Sequence, residues 1–89
     1  MNLSNLACAV KSQNIQQREE SLLELRKKSK TLEDTTTLLN LGIGDTLLGL
    51  LDEESGKYKI VILSIFANCT NFNDNWRQLV SLFLVNNFH

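Results

Sequence analysis

Apolar residues recur at helical spacing from the first turn of the chain. Leu3, Leu6, Ala7 and Val10 stand at i, i+3, i+4 and i+7, one face of a helix over residues 3–11. Asn14 is a residue type that caps helices. After it, Ile15, Leu22 and Leu25 make an apolar stripe among Gln, Glu, Arg and Lys. Glu19 and Glu20 fall in the early half of this second helix and Arg26, Lys27 and Lys28 at its end, the order the helix dipole favours. Thr31 opens a third helix over 32–40, and Gly42 suits the left-handed position that follows a helix. A fourth helix, 43–51, turns Leu47, Leu48 and Leu51 inward, and 52–56 is a polar turn. Residues 57–68 then read as a long helix, apolar nearly all round and so buried on most sides. Asn73 or Asp74 caps a short helix through Val80, and 82–88 is a last apolar helix. No proline breaks any of these segments.

The pattern repeats itself. A shift of 41 residues sets Leu6 on Leu47, Val10 on Leu51, Leu22 on Leu63 and Leu25 on Phe66. It also sets Ser29 on Thr70, Glu33 on Asp74, Leu38 on Leu79, Leu39 on Val80 and Leu41 on Leu82. The polar turns keep the same register. The expected organisation is one all-α domain over 1–89, with copies at about 1–41 and 42–82 and an uncapped apolar helix over 82–89. Local propensity offers a competing reading of one segment. Tyr58 to Phe66 is rich in β-branched and aromatic residues, and a buried strand over 58–66 would make a small α+β domain with a small-molecule pocket. The repeat register decides for the helix.

The order of elements resembles the armadillo/HEAT-like helical repeat family. The run from Leu38 to Leu51 looks like that family's junction between first and second helices. The run Leu63-Ser-Ile-Phe-Ala-Asn-Cys-Thr70, with Asn73 and Arg77 behind it, looks like the end of a third helix and the start of the next unit. The period lies within the roughly 40–47 residues of such repeats. The resemblance implies a right-handed stack whose third helices line a concave, peptide-binding groove. Asn68 matches the family's ligand-holding Asn, Ser64 stands at the position of its partner Trp, and Lys27 and Leu23 occupy the same two positions in the first copy. It therefore implies a groove without the importin-type Asn–Trp pair.

Composition narrows what such a domain does. Apolar content of 43% and charged content of 21% are ordinary for a globular domain and exclude wholesale disorder. Nine basic residues against ten acidic ones give a net charge of −1, which argues against nucleic-acid or membrane-surface binding. Cys8 and Cys69 are 61 positions apart and read as free, buried thiols of a reducing compartment. The expected location is cytoplasmic, and the basic run Arg26 to Lys30 is the feature that would admit the nucleus. No cofactor, metal or catalytic site is expected. The one His is His89, neither Cys has a basic partner in sequence, and Gly42, Gly44 and Gly49 lack the Lys-Ser/Thr that follows a phosphate loop.

The expectation is thus a non-enzymatic protein-interaction module or scaffold, a whole chain or a short form of a longer array. Its candidate contacts are Asn68, Ser64 and Lys27 on the helices that match the family's third, Trp76 as an aromatic anchor where it does not simply pack against the preceding long helix, and Phe83 and Phe88 on the terminal apolar helix. The partner would be another protein or peptide, or a second copy of the chain through that terminal helix.

Overall fold

The computed structural model describes residues 2–51 and 58–87, which form six helices and no strand. These are α1 (Leu3–Val10), α2 (Ile15–Lys28), α3 (Leu32–Asn40), α4 (Ile43–Leu51), α5 (Lys59–Phe72) and α6 (Asp74–Asn87). The expected turn at 52–56 and Phe88 lie outside the described residues, as does the side chain of Phe83.

Side-chain caps start the first three helices. Asn2 accepts from the Asn5 amide at 2.8 Å, Asn14 from Gln17 at 3.0 Å and Thr31 from Asp34 at 3.1 Å. Each satisfies a backbone donor the helix cannot, worth about 1 kcal/mol. Gly42 stops α3 at φ +76°, a backbone state that costs glycine little. A single extended residue, Asn73, turns the chain from α5 into α6, and its Oδ1 accepts from the Asn75 amide at 2.9 Å. Arg77 reaches back from α6 to the Thr70 carbonyl at the end of α5.

Two expected boundaries move. The long helix runs to Phe72 rather than residue 68, and the strand reading of 58–66 fails. Ile62, Ile65, Phe66 and Cys69 are buried at i, i+3, i+4 and i+7, so tertiary burial on a helical face overrides local β propensity. The expected pair 74–80 and 82–88 is instead one helix, Asp74–Asn87. Its first counterpart breaks at Gly42, whereas the residue 41 places later is Phe83, which cannot take a left-handed turn cheaply.

The core is continuous across all six helices. Leu6, Val10, Leu22, Leu25, Leu38, Ile43, Leu47, Ile62, Ile65, Cys69 and Trp76 are each no more than 1% exposed. Helix α3 packs against α1, α4, α5 and α6, while α2 lies between α1 and α5. Gly44 lets α4 approach Leu79 and Trp76 of α6, because a Cβ there would meet Leu79 Cδ2 at 2.3 Å. Polar bonds tie residues about one period apart. The Trp76 indole Nε1 donates to the Thr35 carbonyl at 2.7 Å, and Asn73 Nδ2 donates to Thr36 Oγ1 at 2.9 Å.

Burial also corrects the register and the stripes. Leu22 is fully buried but its partner at a shift of 41, Leu63, is 49% exposed. A shift of 40 instead sets Leu22 on Ile62, Leu25 on Ile65 and Ser29 on Cys69, all within 1% exposure. Helices α1 and α4, and α3 and α6, keep 41, as Leu6 with Leu47 and Thr35 with Trp76 show. Ile15 is 54% exposed and leaves the apolar stripe of α2. Cys8 is exposed on α1, so only Cys69 is a buried thiol. Helix α5 is not enclosed either. The molecule measures 33 × 32 × 18 Å, and with helices about 8–10 Å apart its short dimension is two helices thick. Every helix keeps an outward side.

Candidate functional site

The outward side of α5 is the least expected surface of the molecule. Ile60 is 80% exposed, Leu63 is 49% exposed, and Ala67 is exposed with them. Their spacing of three and four residues puts them on one face, opposite Ile62, Ile65 and Cys69. Helix α5 carries a single charged residue, Lys59. Beside it runs α2, whose matching outward positions are Glu20, Leu23 and Lys27.

The two helices are parallel and tied at both ends. The Arg18 guanidinium lies 5.7 Å over the Tyr58 ring at their starts. At their ends the Asn68 amide donates to the Arg26 carbonyl at 3.2 Å and to Ser29 Oγ at 3.3 Å. Leu23 therefore sits level with Leu63, Glu20 with Ile60 and Lys27 with Ala67. Glu19, Leu22 and Leu23 of α2 with Tyr58 and Val61 line a shallow cleft of about 230 Å³ between them. The C-terminal end of α2 is basic. Arg26, Lys27, Lys28 and Lys30 are all exposed, and no ion pair among the described residues engages them.

Of the residues proposed from sequence, three lie on this α2–α5 layer. Asn68 is half-buried with its amide nitrogen spent on α2, a role in joining helices. Ser64 Oγ donates to the Ile60 carbonyl of its own helix at 2.9 Å. Lys27 is exposed and has no polar contact among the described residues. Trp76 is elsewhere and inside: it is fully buried, bonded to Thr35, with the Phe66 ring centroid 6.0 Å from its own. It offers no surface to a partner. On the last turns of α6, Leu82, Leu84 and Val85 are exposed on different sides of the helix.

Ile60 and Leu63 escaped the reading of the sequence as surface residues, and Leu23 entered it only by its match to the family's groove position. An all-round apolar helix suggests all-round burial, so its outward stripe did not stand out. The signal was present in the comparison of copies, because the shift of 40 replaces Glu20 and Lys27 by Ile60 and Ala67.

The thiols differ in chemistry as in burial. Burial pushes the Cys69 thiol up to about 12, against a smaller downward pull from its hydrogen bond with Ser29. Such a thiol is protonated and inert at neutral pH. Among the described residues no group of His, Cys, Asp or Glu could hold a metal ion, and no helix is long and apolar enough to cross a membrane. No protein-family model, curated protein or solved structure matches the chain.

Proposed function

We propose that this chain is a protein–protein interaction module, two armadillo-like units in a right-handed stack, that binds another protein through the outward face of α2 and α5. The observation that carries the reading is the uncharged stripe Ile60, Leu63 and Ala67 left open on a helix whose opposite side is core. Exposed aliphatic anchors at i, i+3 and i+7 are what a partner helix or extended segment engages. Support for the stack comes from equivalent helices lying side by side, α2 with α5 and α3 with α6, and from bonds between residues about 41 apart. A concave face built of third helices would then be this same α2–α5 face.

A second route is favoured by one observation, the exposure of Leu82, Leu84 and Val85 around the end of α6. It would serve the same scaffold role at its other edge.

A photo-reactive amino acid placed at position 63 in living cells tests the main route. The expected outcome is a discrete cross-linked species, absent when Ile60→Asp is added and absent when the photo-reactive group sits at Lys11 on α1. Indiscriminate labelling, or labelling unaffected by Ile60→Asp, rejects this face as a binding site.

A further inference from the structure

The α2–α5 face is not only apolar; its charges are ordered along the helices. Glu19 and Glu20 precede the level of Leu23 on α2, Glu24 follows it by one residue, and Arg26, Lys27 and Lys28 close the helix, with Lys30 two residues beyond. Between them are Leu23 and the stripe Ile60, Leu63, Ala67. At the outward positions of α2 the sign changes across the level of Leu23, while Arg18 and Lys59 add positive charge beside the acidic half. Glu20 stands one residue triplet before that level and Lys27 four residues after it, as Ile60 and Ala67 do on α5.

We infer that this face pairs with the same face of a second copy, in an antiparallel two-fold dimer. The inference rests on the reading above and names the partner. A two-fold axis lying in the face and perpendicular to the helices reverses their direction and keeps each over itself. Glu20 of one copy then meets Lys27 of the other, twice, and Leu23 and Leu63 meet their own counterparts near the axis. The other in-plane axis, parallel to the helices, would lay α2 over α5. It would press Glu20 onto Ile60 and Lys27 onto Ala67, stranding charge on apolar surface. A head-to-tail contact with the outward side of α1 is also poor, since Ser4, Asn5, Cys8 and Lys11 offer no apolar match, and Leu82→Asp tests the α6 edge separately.

The size of the face sets the strength. A 14-residue helix is about 21 Å long and the pair roughly 20 Å wide, so the patch is near the low end of specific interfaces. The dimer is weak, and the charges fix its register more than its affinity.

Sedimentation equilibrium of the purified full chain, from about 10 μM to about 1 mM, reads this directly. The expected result is a reversible monomer–dimer equilibrium, abolished by Leu63→Asp and weakened about tenfold by Glu20→Lys or Lys27→Glu, each of which loses two symmetric pairs. The double variant Glu20→Lys with Lys27→Glu restores the dimer, because it exchanges the two ends of the face. Far-ultraviolet circular dichroism on each variant confirms that the helices persist. A monomer at every concentration overturns the inference while leaving a cross-linked foreign partner at position 63 intact. Dissociation by Leu82→Asp but not by Leu63→Asp overturns it in favour of the α6 edge. Failure of the double variant to recover overturns the antiparallel arrangement.

Discussion

Helices α2 and α5 are each 14 residues long, run parallel and share an interface, yet they are helical for different reasons. Helix α2 has what an isolated helix would need: the Asn14 cap, carboxylates early, cations late, and long polar side chains outward. Helix α5 begins at Tyr58 without a side-chain cap and holds one charge. Its helicity comes from packing Ile62, Ile65, Phe66 and Cys69. Inside, Leu22, Leu25 and Ser29 correspond to Ile62, Ile65 and Cys69, whereas outside Glu20 and Lys27 correspond to Ile60 and Ala67. Packing against common neighbours constrains the first set. The second set is exposed, and under the proposed function the apolar outward residues of α5 serve a partner.

The largest effect concerns the bond that joins the two halves. Trp76 lies on α6 and Thr35 on α3, and the indole fills the space between α3, α4 and α5. Trp76→Ala is expected to cost about 3–5 kcal/mol, and Trp76→Phe about 1–2 kcal/mol, since it keeps a ring but loses the donor to Thr35. Urea unfolding followed by circular dichroism measures both. If the copies are one cooperative unit, the wild-type transition is single and both halves melt together. Separate transitions for α1–α3 and α4–α6 would show that the halves are independent.

A smaller effect separates the equivalent positions Ser29 and Cys69. In the folded chain the Cys69 thiol holds its proton to about 12, whereas the unfolded thiol loses it from its ordinary value of 9.0. Above that ordinary value the unfolded state binds fewer protons, so stability falls with rising pH across the window from 9.0 to about 12. Cys69→Ala removes this component, and the difference between the two pH–stability profiles isolates it. Native alkylation at neutral pH should modify Cys8 alone, read by mass spectrometry; rapid labelling of Cys69 in the folded chain contradicts its burial.

Much of this architecture was legible in the residues. Asn14, Thr31 and Gly42 mark helix boundaries because their chemistry is local, and the structure keeps all three. What a period could not supply was the exception to itself. Helix α6 runs on where a strict copy would break, since the residue 41 places after Gly42 is Phe83. The middle helices slip to a shift of 40, because the offset of packed helices is set by contacts such as Arg18 with Tyr58 rather than by counting residues. Trp76 read as an anchor for a partner or as packing against the long helix before it; it packs there, and only the fold shows that its indole nitrogen reaches a backbone carbonyl 41 residues away. The outward stripe of α5 was hidden for a related reason: hydrophobicity says that a residue avoids water, and not whether its own chain or another will cover it.

The smallest effect on stability sharpens the comparison most. Exchanging the outward residues makes each helix resemble the other: Ile60→Glu with Ala67→Lys gives α5 the surface of α2, and Glu20→Ile with Lys27→Ala does the reverse. All four positions are exposed, and none of the new side chains enters the core. Each exchange should change folding stability by no more than about 0.5 kcal/mol in thermal or urea melts. Their solution behaviour should diverge. The recoated α5 loses association and remains soluble at high concentration, while the stripped α2 widens the apolar patch and scatters light. A loss of more than about 1.5 kcal/mol on recoating α5 would mean that Ile60 and Ala67 support the fold itself, and the outward face would then owe its composition to packing rather than to a partner.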